Sequence, residues 1–193
     1  MAILKINESE EIIINYHDID GCGDILYAFQ FLINKKNVIN PEILSERYKE
    51  GFFIISDCDF EKCSIIDFFE QVLNTKDSIC YENIETPVIH IHCRAWNELK
   101  NYKLSLWENA KHSDGKGKYQ EGFIESILEF WEKEVELTFS LDSIFTINPD
   151  KHSKISLHYE TNTDNLQHFV EELRSEFQDF KGNNLEKHIH NSM

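Results

Sequence analysis

Short runs of β-branched and aromatic residues, broken by polar turns, constrain the fold of this chain more than any other feature. "ILKI" and "EIIINYH" flank "NESE", "FFIIS" follows Gly51, "PVIHIHC" follows Thr86, and "LTFSL" and "KISLHYE" lie in the last third. Runs of this length between turn formers read as strands. Longer segments between them have helical character. "DILYAFQFLIN" (residues 24–34) is apolar all round and long enough for a buried helix, and "EILSERYKE" after Pro41 predicts a short one. "DFEKCSIIDFFEQVLN" predicts a helix capped by Asp59 and stopped at Asn74. The first half therefore alternates strand and helix, the order of a small α/β unit with parallel pairing.

The second half is ordered differently. "RAWNELKNYKLSLW" mixes a helical pair, Trp96 and Leu99, with strand-like alternation, and "KHSDGKGK" is a loop that departs from the phosphate-cradling GxxxxGK[ST] pattern. Residues 119 to about 136 form the plainest helix of the chain, followed by "LTFSL" and "SIFTI" as a bent strand pair before Pro149. The last helix opens at Thr163 or Asp164, with Gln167 as the capping-box partner of Asp164. It carries Leu166, Phe169, Val170, Leu173, Phe177 and Phe180 at helical spacing and closes at Gly182, leaving 183–193 as a flexible tail. No internal repeat is visible. The expected fold is α+β, a mixed sheet flanked by helices. It forms one domain over 1–193, or, as the alternative, an α/β unit over 1–97 and a helix/strand half over 98–182.

Charge narrows the partners. Thirty-five Asp and Glu face 19 Lys and Arg, for a formal net charge of −16 in 193 residues. Such a field repels nucleic acid and anionic membranes and draws cationic surfaces, although acidity also serves solubility alone. The apolar runs are too short to cross a bilayer, and "MAILKINESE" lacks the cationic start and long apolar stretch of a secretory signal. Five cysteines at irregular spacing, with Cys58 and Cys63 outside any CxxC, oppose a disulfide framework and a paired-thiolate zinc site. A cytoplasmic protein with reduced thiols is expected.

"NYHDIDGCGD" (residues 15–24) packs a histidine, three aspartates and two glycines into ten positions. With parallel strands, three strand ends would carry metal-capable groups: Asp18 and Asp20, then Asp57 and Asp59, then His90 and His92 on one strand face. Carboxylate and imidazole donors together suit Mn²⁺, Mg²⁺ or Zn²⁺, which activate water for phosphoester hydrolysis. "YHDIDGCGD" and "IISDCD" resemble the first two acidic strand ends of DHH-type phosphoesterases over about 45 residues. That resemblance implies manganese held by Asp18, Asp20 and Asp57. The family's Asp-His-His motif is absent. Aspartate and glycine are also turn formers, and Asp18, Asp20 or Asp59 can cap a following helix; the residues favour the turn. Cys22, near a predicted helix start, reads as a small buried residue, and neither GxSxG nor HExxH occurs.

The helix "YQEGFIESILEFWEKEVEL" bears a second pattern. Ile124, Leu128, Trp131 and Val135 form an apolar face, while Glu121, Glu125, Glu129, Glu132 and Glu136 fall within roughly 80° on another side. Like charges at i, i+4 cost a helix about 0.2–0.5 kcal/mol per pair, so the stripe points to a cation-bearing surface that meets it. Its bland alternative is a solvated face, relieved by lysines of "KHSDGKGK". Size, acidity, an α+β pattern, an Asn-, Ile- and Lys-rich composition and the lack of a catalytic signature resemble the immunity proteins of bacterial toxin systems. The resemblance implies a cytosolic inhibitor, without cofactor, that covers a basic partner such as a nuclease toxin, with Trp96 and Trp107 as candidate anchors. A phage-type acidic inhibitor of a host defence enzyme, a metal-dependent hydrolase and an oligomerisation domain are the alternatives.

Overall fold

A hairpin opens the chain, and its residues dictate it. Ala2–Lys5 (β1) and Glu10–Ile19 (β2) pair antiparallel across a polar turn. Within that turn the Asn7 side chain accepts from the backbone amides of Ser9 and Glu10 at 2.9 and 3.0 Å, an Asx-type closure. The chain is represented by a computed structural model that describes residues 1–19, 25–38, 53–57, 64–82, 89–102, 104–105, 133–141 and 155–191.

Ile25–Ile33 (β3) pairs antiparallel with β2 over nine rungs. This segment is the "DILYAFQFLIN" run expected to be a helix. It is a central strand instead, flanked by β2 on one side and by Lys36–Asn37 (β4) and Phe53–Asp57 (β5) on the other. A run whose interior polar residue is Gln30 alone has no clear period to separate a buried helix from a central strand, and its Ile, Tyr and Phe content favours the strand. Asn34 and Lys35 turn β3 into β4 with φ of 49° and 62°, the two left-handed positions of a type I′ turn. Leu4, Ile12 and Phe31 share one rung, as do Ala2, Ile14 and Phe29, and all six are buried.

Ser64–Thr75 (α1) leaves this first sheet for a second one. The predicted capping residue, Asp59, lies outside the described residues. Ile79–Glu82 (β6), Ile89–Arg94 (β7), Glu134–Leu141 (β8) and Ile155–Asn162 (β9) form an antiparallel meander in chain order. The fold is thus α+β, as the pattern of segments predicts, but every strand pair among the described residues is antiparallel. The expected parallel α/β unit and mixed sheet are replaced because α1 links two sheets rather than crossing over within one. Strand β6 was not foreseen in the sequence. The second sheet also straddles residue 97, taking β6 and β7 from one side and β8 and β9 from the other.

The helix predicted over 119 to about 136 does not extend that far: 119–132 lie outside the described residues, Lys133 is a turn residue, and β8 begins at Glu134. "EVELTFSL" alternates strictly, with Val135, Leu137, Phe139 and Leu141 buried. Thr163–Asn191 (α2) closes the chain. Its cap is Asn162, whose side-chain oxygen accepts from the Asn165 amide at 2.8 Å, one residue before the predicted Thr163 or Asp164. Gly182 does not close α2; it sits within the helix, exposed, with open space where a Cβ would stand.

Both sheets, α1 and α2 share one core. Phe31 of the first sheet meets Phe139 of the second edge-on at 5.1 Å. Phe69 of α1 meets Phe169 of α2 at 5.5 Å, and Arg174 of α2 pairs with Glu70 of α1. Tyr16 of β2 stacks on Phe180 and touches Phe177, seating α2 on the first sheet.

Candidate functional site

Strict alternation in β7, β8 and β9 gives the second sheet an apolar inner face and a polar outer one. Register then fixes which polar groups meet. Cys80, His92, Thr138 and His158 share one rung, and Arg94, Glu136 and Glu160 share the next. Thr138 Oγ1 lies 2.9 Å from His158 Nδ1, and Ser140 and Ser156 meet through their hydroxyls at 3.2 Å.

Arg94 brings a cation to this face. Its guanidinium donates to Glu136 at 3.1 Å and to Glu98 at 2.9 Å and lies over the Tyr102 ring at 5.2 Å. A hydrogen bond from Ser78, helped by Arg94, holds the Glu98 carboxyl below its usual range. Glu160 stands on the far side of Glu136, and the two carboxylates face one another across strands, a pairing that is destabilising in sheets. Among the described residues Glu160 has no ion pair.

Beside this rung lies a concavity of about 530 Å³ between the β8–β9 face and the β1–β2 turn, lined among others by Asn7, Glu10, Glu136, Thr138, His158 and Glu160. Three carboxylates therefore serve one hollow. The field of Glu10 reaches Tyr159: burial foremost, then Glu10, pushes the phenol up to about 12. An arrangement of this kind offers a cationic side chain several carboxylate oxygens in a partly enclosed place, where charge pairing is stronger than in open water.

The residues singled out by sequence fall out differently. Of the glutamate stripe, Glu121, Glu125, Glu129 and Glu132 lie outside the described residues, and Glu136 sits on strand β8 rather than a helix face. Asp18 stands opposite Leu26, just past a register irregularity in β2, and Asp57 stands opposite Ile25, one rung away. Asp20, Cys22 and Asp59 lie outside the described residues, and the strands on either side of 20–24, β2 and β3, pair antiparallel. His90 and His92 share the outer face of β7, as their spacing predicts, but they belong to the other sheet from Asp18 and Asp57. The expected crevice, at the carboxyl ends of parallel strands, has no counterpart among the described residues. Among the described residues no three His, Cys, Asp or Glu side chains are grouped to hold a metal ion. Trp96, half-buried, lies under the Lys100 ammonium at 5.4 Å, and Trp107 is outside the described residues.

Glu10, His158 and Glu160 were missed by the sequence reading. Their signal was the alternation of "ISLHYET" against "EVELTFSL", which marks polar positions on two strands without saying that they pair. Among the described residues no helix is long and apolar enough to cross a membrane. Searches against protein-family models, curated proteins and solved structures return nothing that matches this chain.

Proposed function

We propose that this chain is an acidic binding protein that neutralises a basic partner, in the manner of an immunity protein blocking a nuclease-type toxin. The observation that carries the reading is the hollow lined by Glu10, Glu136 and Glu160 in a chain of net charge −16. Only Glu136 of the three has a guanidinium of its own molecule among the described residues. A lysine or arginine of the partner entering the hollow relieves the Glu136–Glu160 repulsion and acquires charge-assisted hydrogen bonds. The surplus charge steers the encounter, and apolar contacts around the hollow hold the complex. A nuclease that grips phosphates with the same cations loses its substrate while they are engaged.

The test is capture of the partner from the native host, followed by association kinetics and an assay of its nuclease activity. Association should slow about tenfold or more as salt rises from ~0.05 to ~0.5 M. The variant Glu160→Thr should associate more slowly while its melting temperature rises, because it removes a like-charged cross-strand pair worth about 0.2–1 kcal/mol. Salt-independent association, or capture untouched by both Glu10→Lys and Glu160→Lys, rules the reading out.

A further inference from the structure

The two sheets treat their outermost strands in opposite ways. On β1 the outer edge is occupied. The amide of Ile3 donates to Glu172 of α2 at 2.9 Å, and the Lys5 carbonyl accepts from the Asn165 side chain at 3.1 Å and from the Thr161 hydroxyl at 3.5 Å. Strand β9, the last of the second sheet, has no such cover among the described residues.

Register shows which groups this leaves. The Thr163 amide donates to the Lys133 carbonyl at 2.7 Å, continuing the ladder in which Asn162 faces Glu134. Alternation in an antiparallel ladder then turns the backbone of Thr161, Tyr159 and Leu157 toward β8 and that of Ser156, His158 and Glu160 outward. Edge strands are usually defended by lysine, proline, a bulge or a covering element. The eight residues "ISLHYETN" contain neither lysine nor proline, and their pairing with β8 runs through eight rungs without a bulge. On the inner face Leu157 is only half-buried, so an added strand has apolar surface to cover.

We propose that the outer edge of β9 is a strand-addition site for an extended, lysine- or arginine-bearing segment of a partner protein. This rests on the reading of the chain as a binder of basic partners. Charge selects the occupant. The edge runs alongside the hollow of Glu10, Glu136 and Glu160, so cationic side chains on the outer face of an added strand meet carboxylates. A second copy of this chain would instead bring two molecules of charge −16 together at their acidic faces. Main-chain hydrogen bonds would supply affinity, and the alternation of cationic and apolar side chains would supply specificity.

The probe is a peptide of about eight residues alternating lysine and valine, matched in length to β9, with a glutamate–valine peptide as control. Amide hydrogen exchange of the full chain is followed at Ser156, His158 and Glu160. At a lysine–valine concentration about tenfold above its Kd, these amides should exchange about tenfold more slowly, and the control peptide should leave them unchanged. The variant His158→Pro removes an outward N–H without removing a bond to β8. It should weaken the peptide about tenfold or more while keeping a cooperative melt, and Ser156→Pro serves if that variant fails to fold. Salt-sensitive binding of the lysine–valine peptide with unchanged exchange at the three amides overturns strand addition and leaves the charge-based reading standing. Failure of that peptide to bind, or binding unaffected by a folded proline variant, overturns it as well. Protection that grows with protein concentration in the absence of peptide identifies a second copy as the occupant and overturns the proposal too.

Discussion

Two ionisable side chains are held neutral by the core, and their chemistry makes the protein sensitive to base. Cys93 is wholly buried on the inner face of β7, and burial foremost, with Cys80 adding, pushes its thiol from 9.0 up to about 12. Tyr159, on the inner face of β9, is raised from 10.0 to about 12. Both folded values lie above the unfolded ones, so the unfolded chain releases these protons first. The corresponding stability is fully present below pH 9 and drains away as pH climbs toward 12, by an amount on the order of a few kcal/mol in all. Urea midpoints should therefore fall progressively above pH 9. With Cys93→Val the decline should begin only near the phenol's ordinary value of 10.0. An unchanged onset in that variant would refute the assignment.

Among the elements, the β3–β4 turn is the clearest place where a better residue exists. Both Asn34 and Lys35 adopt positive φ; asparagine tolerates this, whereas lysine carries a Cβ that the left-handed region penalises. Lys35→Gly should raise stability by about 0.5–1 kcal/mol, read as a shift of the denaturation midpoint with unchanged slope. The same scale shows what the sequence makes legible. Strands β1, β8 and β9 and the helix α2 are readable because each keeps one period, two or 3.6 residues, and β2 because its short β-branched run follows a polar turn. Strand β3 is not, since Ile25, Phe29, Phe31 and Leu32 are buried within a run that has no polar face. Nor is strand direction, which is decided by α1 leading to a second sheet. Half of the candidate site follows the same division. The polarity of Glu136, Thr138, His158 and Glu160 can be read along each strand, but their pairing and the approach of Glu10 depend on register and on the packing of one sheet against another.

Across the whole molecule, the contact of Phe31 with Phe139 joins the sheets, and Tyr159 closes a three-ring group, at 6.2 Å from Phe31 and 6.1 Å from Phe139. All three rings are buried. Phe139→Ala removes the ring that touches both of the others. It should cost about 3–5 kcal/mol, and because the core is continuous the loss should reach both sheets in one transition. Fluorescence from Trp96, near the second sheet, and hydrogen exchange of β2, in the first, should report the same midpoint. Two separate midpoints would mean that the sheets unfold independently.

The bond from the Ile3 amide to the Glu172 carboxylate joins positions 169 residues apart, which has a consequence for how the chain is made. A ribosome releases β1 long before α2 exists, so the strand must wait for the helix before its open side is closed. Contacts of such sequence separation slow folding, because a long loop must close before they form. The nascent chain therefore carries an unguarded strand until α2 follows, and Glu172, together with Asn165 and Thr161, ends that exposure.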